Sequence, residues 1–297
     1  MKQRFSKRTR LVSALLTLAM VFTFLPFSAF AAEGDIAIDN TNFPDAKFQE
    51  YLKNTATYYD NSTETYKKIN EDGNEILSAK ERNLLHILDV RNSGIKELKG
   101  IELFPNLYTL NCSGLGLENL DLSGNKELDT LDCSENNLTQ LNLSQNTKLT
   151  NLNCSVNKLN QLNLPASAPL VKLICYDNQL SALEVNSLSG LTSLSCGKNP
   201  LALGTLDVSN LTDLQSLNCY ENGLTALDVK NNSYLKELSC GGNQLTELDL
   251  SHNPNLTELY CSGNQLSRLD LRKNEKLTTL QCFQNKLEHL DVSQSTK

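Results

Sequence analysis

The sequence predicts an α/β fold: a right-handed solenoid with a parallel sheet on its concave face and an extended or 3₁₀ convex side, preceded by a small helical cap. Three observations predict it. Cysteines recur at 112, 133, 154, 175, 196, 219, 240, 261 and 282, spaced by 21 residues apart from one interval of 23, and a fixed period of this length marks stacked repeats. Each cysteine lies in a short alternation of apolar and polar residues, such as Leu131-Asp132-Cys133-Ser134, the period of a strand with one buried face. Residues 32–84 lack the period and form a separate unit.

Residues 1–31 open with Lys2, Arg4, Lys7, Arg8 and Arg10, continue as an uncharged run from Leu11 to Phe27 and end in Ala29-Phe30-Ala31. This order is that of a secretory signal peptide cleaved after Ala31. An uncleaved anchor is the alternative, because the run is about as long as the roughly 17 residues that just span a bilayer. Cleavage removes five basic and no acidic residues and takes the formal charge from -7 to -12. An acidic mature chain excludes nucleic acid and anionic membrane surfaces as expected partners, since phosphate binding draws on clustered Lys and Arg.

In the cap, "NFPDAKFQEYLKN" places Pro44 and Asp45 at a helix start, with Phe48, Tyr51 and Leu52 on one helical face. The later stretch "NEDGNEILSAKE" has two readings. As a degenerate twelve-residue calcium loop it offers Asn70, Asp72 and Asn74 at positions one, three and five, the Ile76 carbonyl at seven, Ser78 at nine and Glu81 at twelve. Position one then has Asn for the usual Asp, and position six has Glu75 where the sharp turn calls for Gly. As a metal-free segment, Ser78-Ala79-Lys80-Glu81 is a capping box opening a helix that runs into Leu84 and Leu85. No cofactor is required; calcium is the one candidate.

From Leu85 to Lys297 the chain repeats L-x-x-L-x-C-x-x-N-x-L-x-x-L-D-(L/V)-S-x-N-x-x for about ten turns, seen whole at Leu256 to Lys276 except for Arg272 in the Ser slot. The first half is the leucine-rich-repeat signature. In the first turn Val90 stands where cysteine later stands. Leu and Cys point inward. The Asn three residues after most cysteines, such as Asn136 and Asn157, falls where the chain leaves the strand, and its amide both donates and accepts, so it can serve backbone groups left unpaired at that bend. Leu115 makes the first such turn an exception. The second half leaves little room for a three-turn helix. Two extra residues in "NPLALGTLDV" account for the longer interval, and "LEHLDVSQSTK" lacks the polar closing turn that terminal repeats need, so the C-terminal cap is expected to be missing.

The phrase "LxxLxCxxNxLxxLDxSxN" resembles the cysteine-ladder repeats of the internalin-like group of Gram-positive surface proteins, and the resemblance covers Leu85 to the end. It implies an extracellular binding protein whose repeats follow a small, EF-hand-like helical cap.

Catalytic phrases are absent: there is no H-E-x-x-H, G-x-S-x-G, phosphate-binding glycine loop or C-x-x-C, and His86, His252 and His289 fall in unrelated slots. No enzyme activity is expected. Neighbouring cysteines would have Cα atoms ~4.8 Å apart, which permits a disulfide by distance. In-register side chains on parallel strands, however, point the same way, against a dihedral near ±90°, and nine thiols cannot all pair. Zinc is disfavoured because no imidazole or carboxylate joins the column. Cys112, Cys133, Cys154, Cys175, Cys196, Cys219, Cys240, Cys261 and Cys282 therefore read as free thiols filling a core.

The outward strand positions are small or polar in the early turns (Thr109, Asn111, Ser113, Asp132, Ser134, Asn153, Ser155). Later turns carry Tyr176, Tyr220, Tyr260 and Phe283 with Lys172, Glu237 and Glu258. Tyrosines on a rigid sheet anchor protein partners and stack on sugars, although cross-strand packing accounts for any one of them. Asp121, Asp207, Asp228, Asp249, Asp270 and Asp291 form an acidic column whose members are expected to accept hydrogen bonds within their own turns. The expected protein is a secreted or surface-displayed monomer that binds an extracellular protein or glycan through its concave face. The alternative is the recognition part of a larger secreted enzyme or wall-anchored protein.

Overall fold

A coil of 21 residues closes only if each turn begins with a strand that pairs with the strand before it. The computed structural model describes residues 34–165, 167–200 and 204–294 and shows this arrangement; the signal-peptide reading of residues 1–31 and part of the expected insertion, residues 201–203, lie outside them. Ten three-residue strands stack in chain order: β5 (Ile87–Asp89), β6 (Thr109–Asn111), β7 (Thr130–Asp132), β8 (Asn151–Asn153), β9 (Lys172–Ile174), β10 (Ser193–Ser195), β11 (Ser216–Asn218), β12 (Glu237–Ser239), β13 (Glu258–Tyr260) and β14 (Thr279–Gln281). All pairs are parallel and in register, so Leu110, Leu131 and Leu152 form one column and their flanking residues form others. The parallel solenoid is as expected.

The inward slots make one continuous core. It runs from Ile38 in the cap to Leu277, and every cysteine from Cys112 to Cys261 is fully buried in it. All nine cysteines are free. Burial raises each thiol above its ordinary value, Cys154 and Cys196 to about 12, because a thiolate in apolar surroundings loses its hydration.

At the bend, Asn157 Nδ2 donates to the carbonyls of both Cys133 and Cys154 at 3.0 and 3.1 Å, while its Oδ1 accepts from Leu138 N at 3.0 Å. Asn136, Asn178, Asn243 and Asn264 repeat the pattern. Each amide thus clamps its own turn to the preceding one. Asn222 departs from it: its side chain reaches the sulfur of Cys196 instead, beside the longer interval.

The convex side is plainer than expected. Among the described residues a single 3₁₀ helix occurs, at Ile101–Leu103; elsewhere a short extended stretch is followed by two successive tight turns, such as Leu122 to Asn125 and Asn125 to Leu128. A second, fully buried asparagine column closes these turns, with Asn146 Nδ2 bonding to Leu122 O and Asn125 O.

The cap contains more strand than its helical reading allows. Helix α1 (Ala46–Asn54) forms as expected, N-capped by Asp45, with Phe48 and Leu52 buried. Helix α2 (Ala79–Arg82) is one turn only and stops before Leu84. Between them lies a hairpin, β2 (Thr57–Asp60) and β3 (Thr65–Lys68), held by a Tyr59–Tyr66 ring contact at 5.2 Å and a Lys67–Asp60 ion pair at 2.6 Å. Its β-forming residues were the legible signal. A second small pair joins β1 (Ile36–Ala37) to β4 (Ile76–Leu77).

Cap and coil share bonds as well as core. One carboxylate oxygen of Asp45 caps α1 while the other accepts from Lys96 N at 2.7 Å and Glu97 N at 3.3 Å. Phe43 packs on Phe104, and Gly100 lies so close that an added Cβ would fall 2.4 Å from the Phe43 ring.

Candidate functional site

The chemistry of the concave face changes along the stack. In β6 to β8 the outward polar groups are spent on one another. Asn111 Oδ1 accepts from the Oγ of Ser113 at 2.9 Å, Asp132 Oδ1 from that of Ser134 at 2.6 Å, and Asn153 Oδ1 from that of Ser155 at 2.7 Å. Asn153 Nδ2 also donates to Asp132 Oδ2 at 3.2 Å, linking two turns. Ser134 and Ser155 are buried by this arrangement.

From β9 onward the residue after each cysteine reads Tyr176, Gly197, Tyr220, Gly241, Ser262, Phe283. Tyr220 leans back over Gly197: a Cβ there would meet its ring at 2.3 Å, so only glycine fits beneath it. Lys198 Nζ lies 5.9 Å from the same ring centroid, within cation–π range. Desolvation raises the Tyr220 hydroxyl, partly offset by Lys198.

Tyr260 belongs to the adjacent column. Its hydroxyl donates to Glu258 at 2.8 Å, and that bond raises its pKa, with burial and the charges of Glu258 and Glu237 adding to the rise. Glu237 and Glu258 are register partners, and Ser216 Oγ donates to Glu237 at 3.1 Å. Phe283 is 61% exposed on the last turn.

The structure therefore gathers the expected residues into two neighbouring groups, Tyr176 with Tyr220 and Glu237 with Glu258 and Tyr260. Phe283 stands beyond them. Lys172 is exposed between Asn151 and Ser193 and is not brought to the glutamates. Sequence reasoning missed Lys198, Gly197 and Gly241, although the alternation of Tyr and Gly after successive cysteines was there to be read.

A further regularity sets the rim. The residue two after the cysteine takes a left-handed conformation in every turn, including Glu135 (φ 56°), Val156 (φ 54°), Asp177 (φ 55°), Lys198 (φ 53°) and Glu221 (φ 52°). A β-branched residue such as Val156 is strained there. The turn of the coil imposes this geometry, and the clamping asparagine that follows holds it.

The acidic column behaves as expected. Asp121, Asp207, Asp228, Asp249, Asp270 and Asp291 each accept from the backbone N–H two residues on, at 2.9 to 3.2 Å. That bond to Ser209 holds Asp207 below the ordinary carboxylate range, and the same bonds to Ser251 and Ser293 hold Asp249 and Asp291 there.

In the cap, the capping box is formed: Glu81 Oε2 accepts from Ser78 N at 2.8 Å and Ser78 Oγ at 2.7 Å. Asp72 accepts from Asn74 N, and Asn74 Oδ1 accepts from Ile76 N. The left-handed turn falls at Gly73, the fourth position of the loop, while Glu75 at the sixth pairs with Lys53 at 2.8 Å. The buried Asn70 keeps an unpartnered Oδ1. Donors at positions three, five and twelve are thus engaged within the loop, and it turns at a place unlike that of a calcium loop.

Residues 234–273 match a family model for leucine-rich repeats (2 copies). The functional domain of InlJ from Listeria monocytogenes, described as including a cysteine ladder, is similar at 33% identity and a TM-score of 0.68, over 88% of this chain and 60% of that one. The Leptospira interrogans leucine-rich-repeat protein LIC12759 is similar in fold, at 24% identity and a TM-score of 0.59, over 73% of this chain and 59% of that one. An internalin, inlF, of Listeria monocytogenes matches at 21% identity and a TM-score of 0.49, over 89% and 96% of the two chains. The chain thus spans about three fifths of the length of the first two. No curated protein matches it. Among the described residues no helix is long and apolar enough to cross a membrane.

Proposed function

We propose that this chain, an internalin-like leucine-rich-repeat protein with 21-residue cysteine-ladder repeats, is a secreted or surface-displayed monomer that binds an extracellular protein or glycan. Concave solenoid faces are extended binding surfaces. One observation carries the choice of site: outward polar groups of β6 to β8 satisfy one another, whereas β9 to β14 present Tyr176, Tyr220, Tyr260 and Phe283 with Glu237, Glu258 and Lys172. Aromatic anchors on a rigid sheet lose little entropy on binding. The work is recognition without catalysis, and the cap serves it as a metal-free end to the coil.

The test is an array of host proteins and glycans probed with the mature chain, then with its Y176A/Y220A/Y260A/F283A variant. The variant is expected to lose at least about tenfold in affinity, as for truncated interface anchors. Unchanged affinity would move the site off this face. A second reading is recognition within a larger secreted enzyme or wall-anchored protein. A hydrolase domain encoded downstream in the same frame would establish it.

A further inference from the structure

Two columns of the concave face hold a single aliphatic residue each, and both residues belong to the turn of β9. Ile174 stands in a column of otherwise polar residues and Tyr260, and Val171 in one filled elsewhere by Thr, Asp, Gln, Lys, His86 and Tyr108. Lys172, Ile174 and Tyr176 alternate with the inward Leu173 and Cys175, so their side chains leave the same face of the sheet ~7 Å apart. Val171 is 43% exposed and Ile174 half-buried, and neither packs on the core.

A strained residue adjoins this strand. Val156 N donates to Tyr176 O at 2.9 Å, and Val156 holds the left-handed position that the other nine turns give to glycine or to a polar or charged residue. A β-branched side chain is costly in that conformation, and strain of this kind collects at functional sites. Val156 is half-buried and, like Ile174, does not pack on the core.

Beside these apolar groups stands an unopposed cation. Lys172 is exposed between Asn151 and Ser193, and none of the ion pairs formed by the described residues includes it. The nearest carboxylate in its column, Glu237, is three rungs or ~14 Å away, beyond the ~8 Å over which exposed charges act in physiological salt. Lys198, by contrast, lies over the Tyr220 ring, with Asp177 and Glu221 before and after it in the rim column.

We infer that the patch formed by Val156, Val171, Lys172, Ile174 and Tyr176 receives a large apolar side chain of a protein partner, with a carboxylate next to it meeting Lys172. The inference rests on the concave-face reading and narrows it from protein or glycan to a protein presenting an apolar residue flanked by acid. A sugar would stack on Tyr176, but Val171 and Ile174 would desolvate its hydroxyls without bonding them.

The experiment titrates the mature chain with end-blocked Asp-Phe-Asp, Lys-Phe-Lys and Asp-Ser-Asp peptides and a neutral chito-oligosaccharide at about 0.15 M salt, following isoleucine and valine methyl signals by NMR. Asp-Phe-Asp should shift the Ile174 and Val171 signals saturably, and the other two peptides should bind at least about fivefold more weakly. I174S should weaken Asp-Phe-Asp at least about fivefold, as truncated anchors do. K172Q should weaken it about threefold, as for one exposed charge pair; K126Q makes the same charge change on the convex side and should alter it less than about 1.5-fold. V156N, with a residue that tolerates the left-handed region, should raise the urea midpoint while weakening the peptide about twofold.

Equal binding of Lys-Phe-Lys, an undiminished affinity in I174S or a lowered midpoint in V156N would overturn the inference. So would methyl shifts on diluting the protein alone, which would put a second copy on the face. If only the oligosaccharide shifts the signals, or if an array protein binds I174S/K172Q as it binds wild type but loses to the four-aromatic variant, the apolar patch falls while the concave-face reading stands. If an array ligand binds regardless of all four aromatic residues, that reading itself falls.

Discussion

The two halves of the concave face are built on one strand register and do opposite things with it. In β6 to β8 a short polar side chain before each cysteine reaches the serine after it, and the face closes over itself. In β9 to β14 that slot reads tyrosine, glycine or phenylalanine except at Ser262, and the outward glutamates Glu237 and Glu258 accept from the hydroxyls of Ser216 and Tyr260 instead. The backbone is the same in both. One slot per turn decides whether the outward polar side chain before the cysteine is bonded within its own turn.

The widest contrast to test is thiol reactivity along the ladder. Only Cys282 is incompletely buried, so in native protein it should label orders of magnitude faster than Cys154, whose pKa is pushed up to about 12. After denaturation without reductant all nine should titrate, and recovery of one would show the rest to be paired. Asn157→Ala comes next. It leaves the buried Leu138 N–H unpaired and removes one of the two side-chain bonds at each of the Cys133 and Cys154 carbonyls, which keep those from Asn136 and Asn178, at about 1 to 3 kcal/mol by the usual cost of an unpaired buried group, measurable by urea unfolding. If the early turns are scaffold, affinity for an array ligand should be unchanged in the folded variant; a parallel loss would break the distinction.

Asp45→Ala should cost about 1 kcal/mol, the typical price of an N-cap, with loosening of the first turn through Lys96 and Glu97. Partial burial pushes the Asp45 carboxyl up, but bonds from Lys96, Phe48, Lys47 and Glu97 prevail and hold it below its ordinary value. A depressed carboxylate stabilises fully above its unfolded pKa of about 3.9 and loses that contribution as pH falls through the folded value. Acid unfolding of wild type should therefore include a step that the variant lacks. Tyr220→Ala should change stability by under about 0.5 kcal/mol, as for a surface residue, in contrast to Asn157→Ala. A larger loss would make the tyrosine part of the scaffold. The smallest effect is expected from calcium on the intact protein: calorimetry should detect little heat, and micromolar binding would show that the loop from Asn70 to Glu81 rearranges around the ion.

Much of this was legible because the array is one-dimensional. Residues 21 apart in sequence become neighbours, so the columns of Cys, Asp, Tyr and Glu could be written down in advance. The hairpin at Thr57–Lys68 was harder, since a single short alternation competes with helical neighbours and carries no period. The calcium and capping-box readings of Ser78 and Glu81 use the same residues, and only coordinates show which atoms they reach.

The sequence by itself determined the period, the inward Leu and Cys, the strand positions and the local bonds of the acidic column, because each follows from alternation or from contacts two or three residues apart. The tertiary structure alone decided that Asn157 clamps two turns, that Val156 accepts a left-handed backbone and that Tyr220 lies over Gly197. These depend on which way a side chain leans once a neighbouring turn is stacked against it. That direction is set by space and hydrogen-bond partners contributed from 19 to 24 residues away, which exist only when the coil has closed.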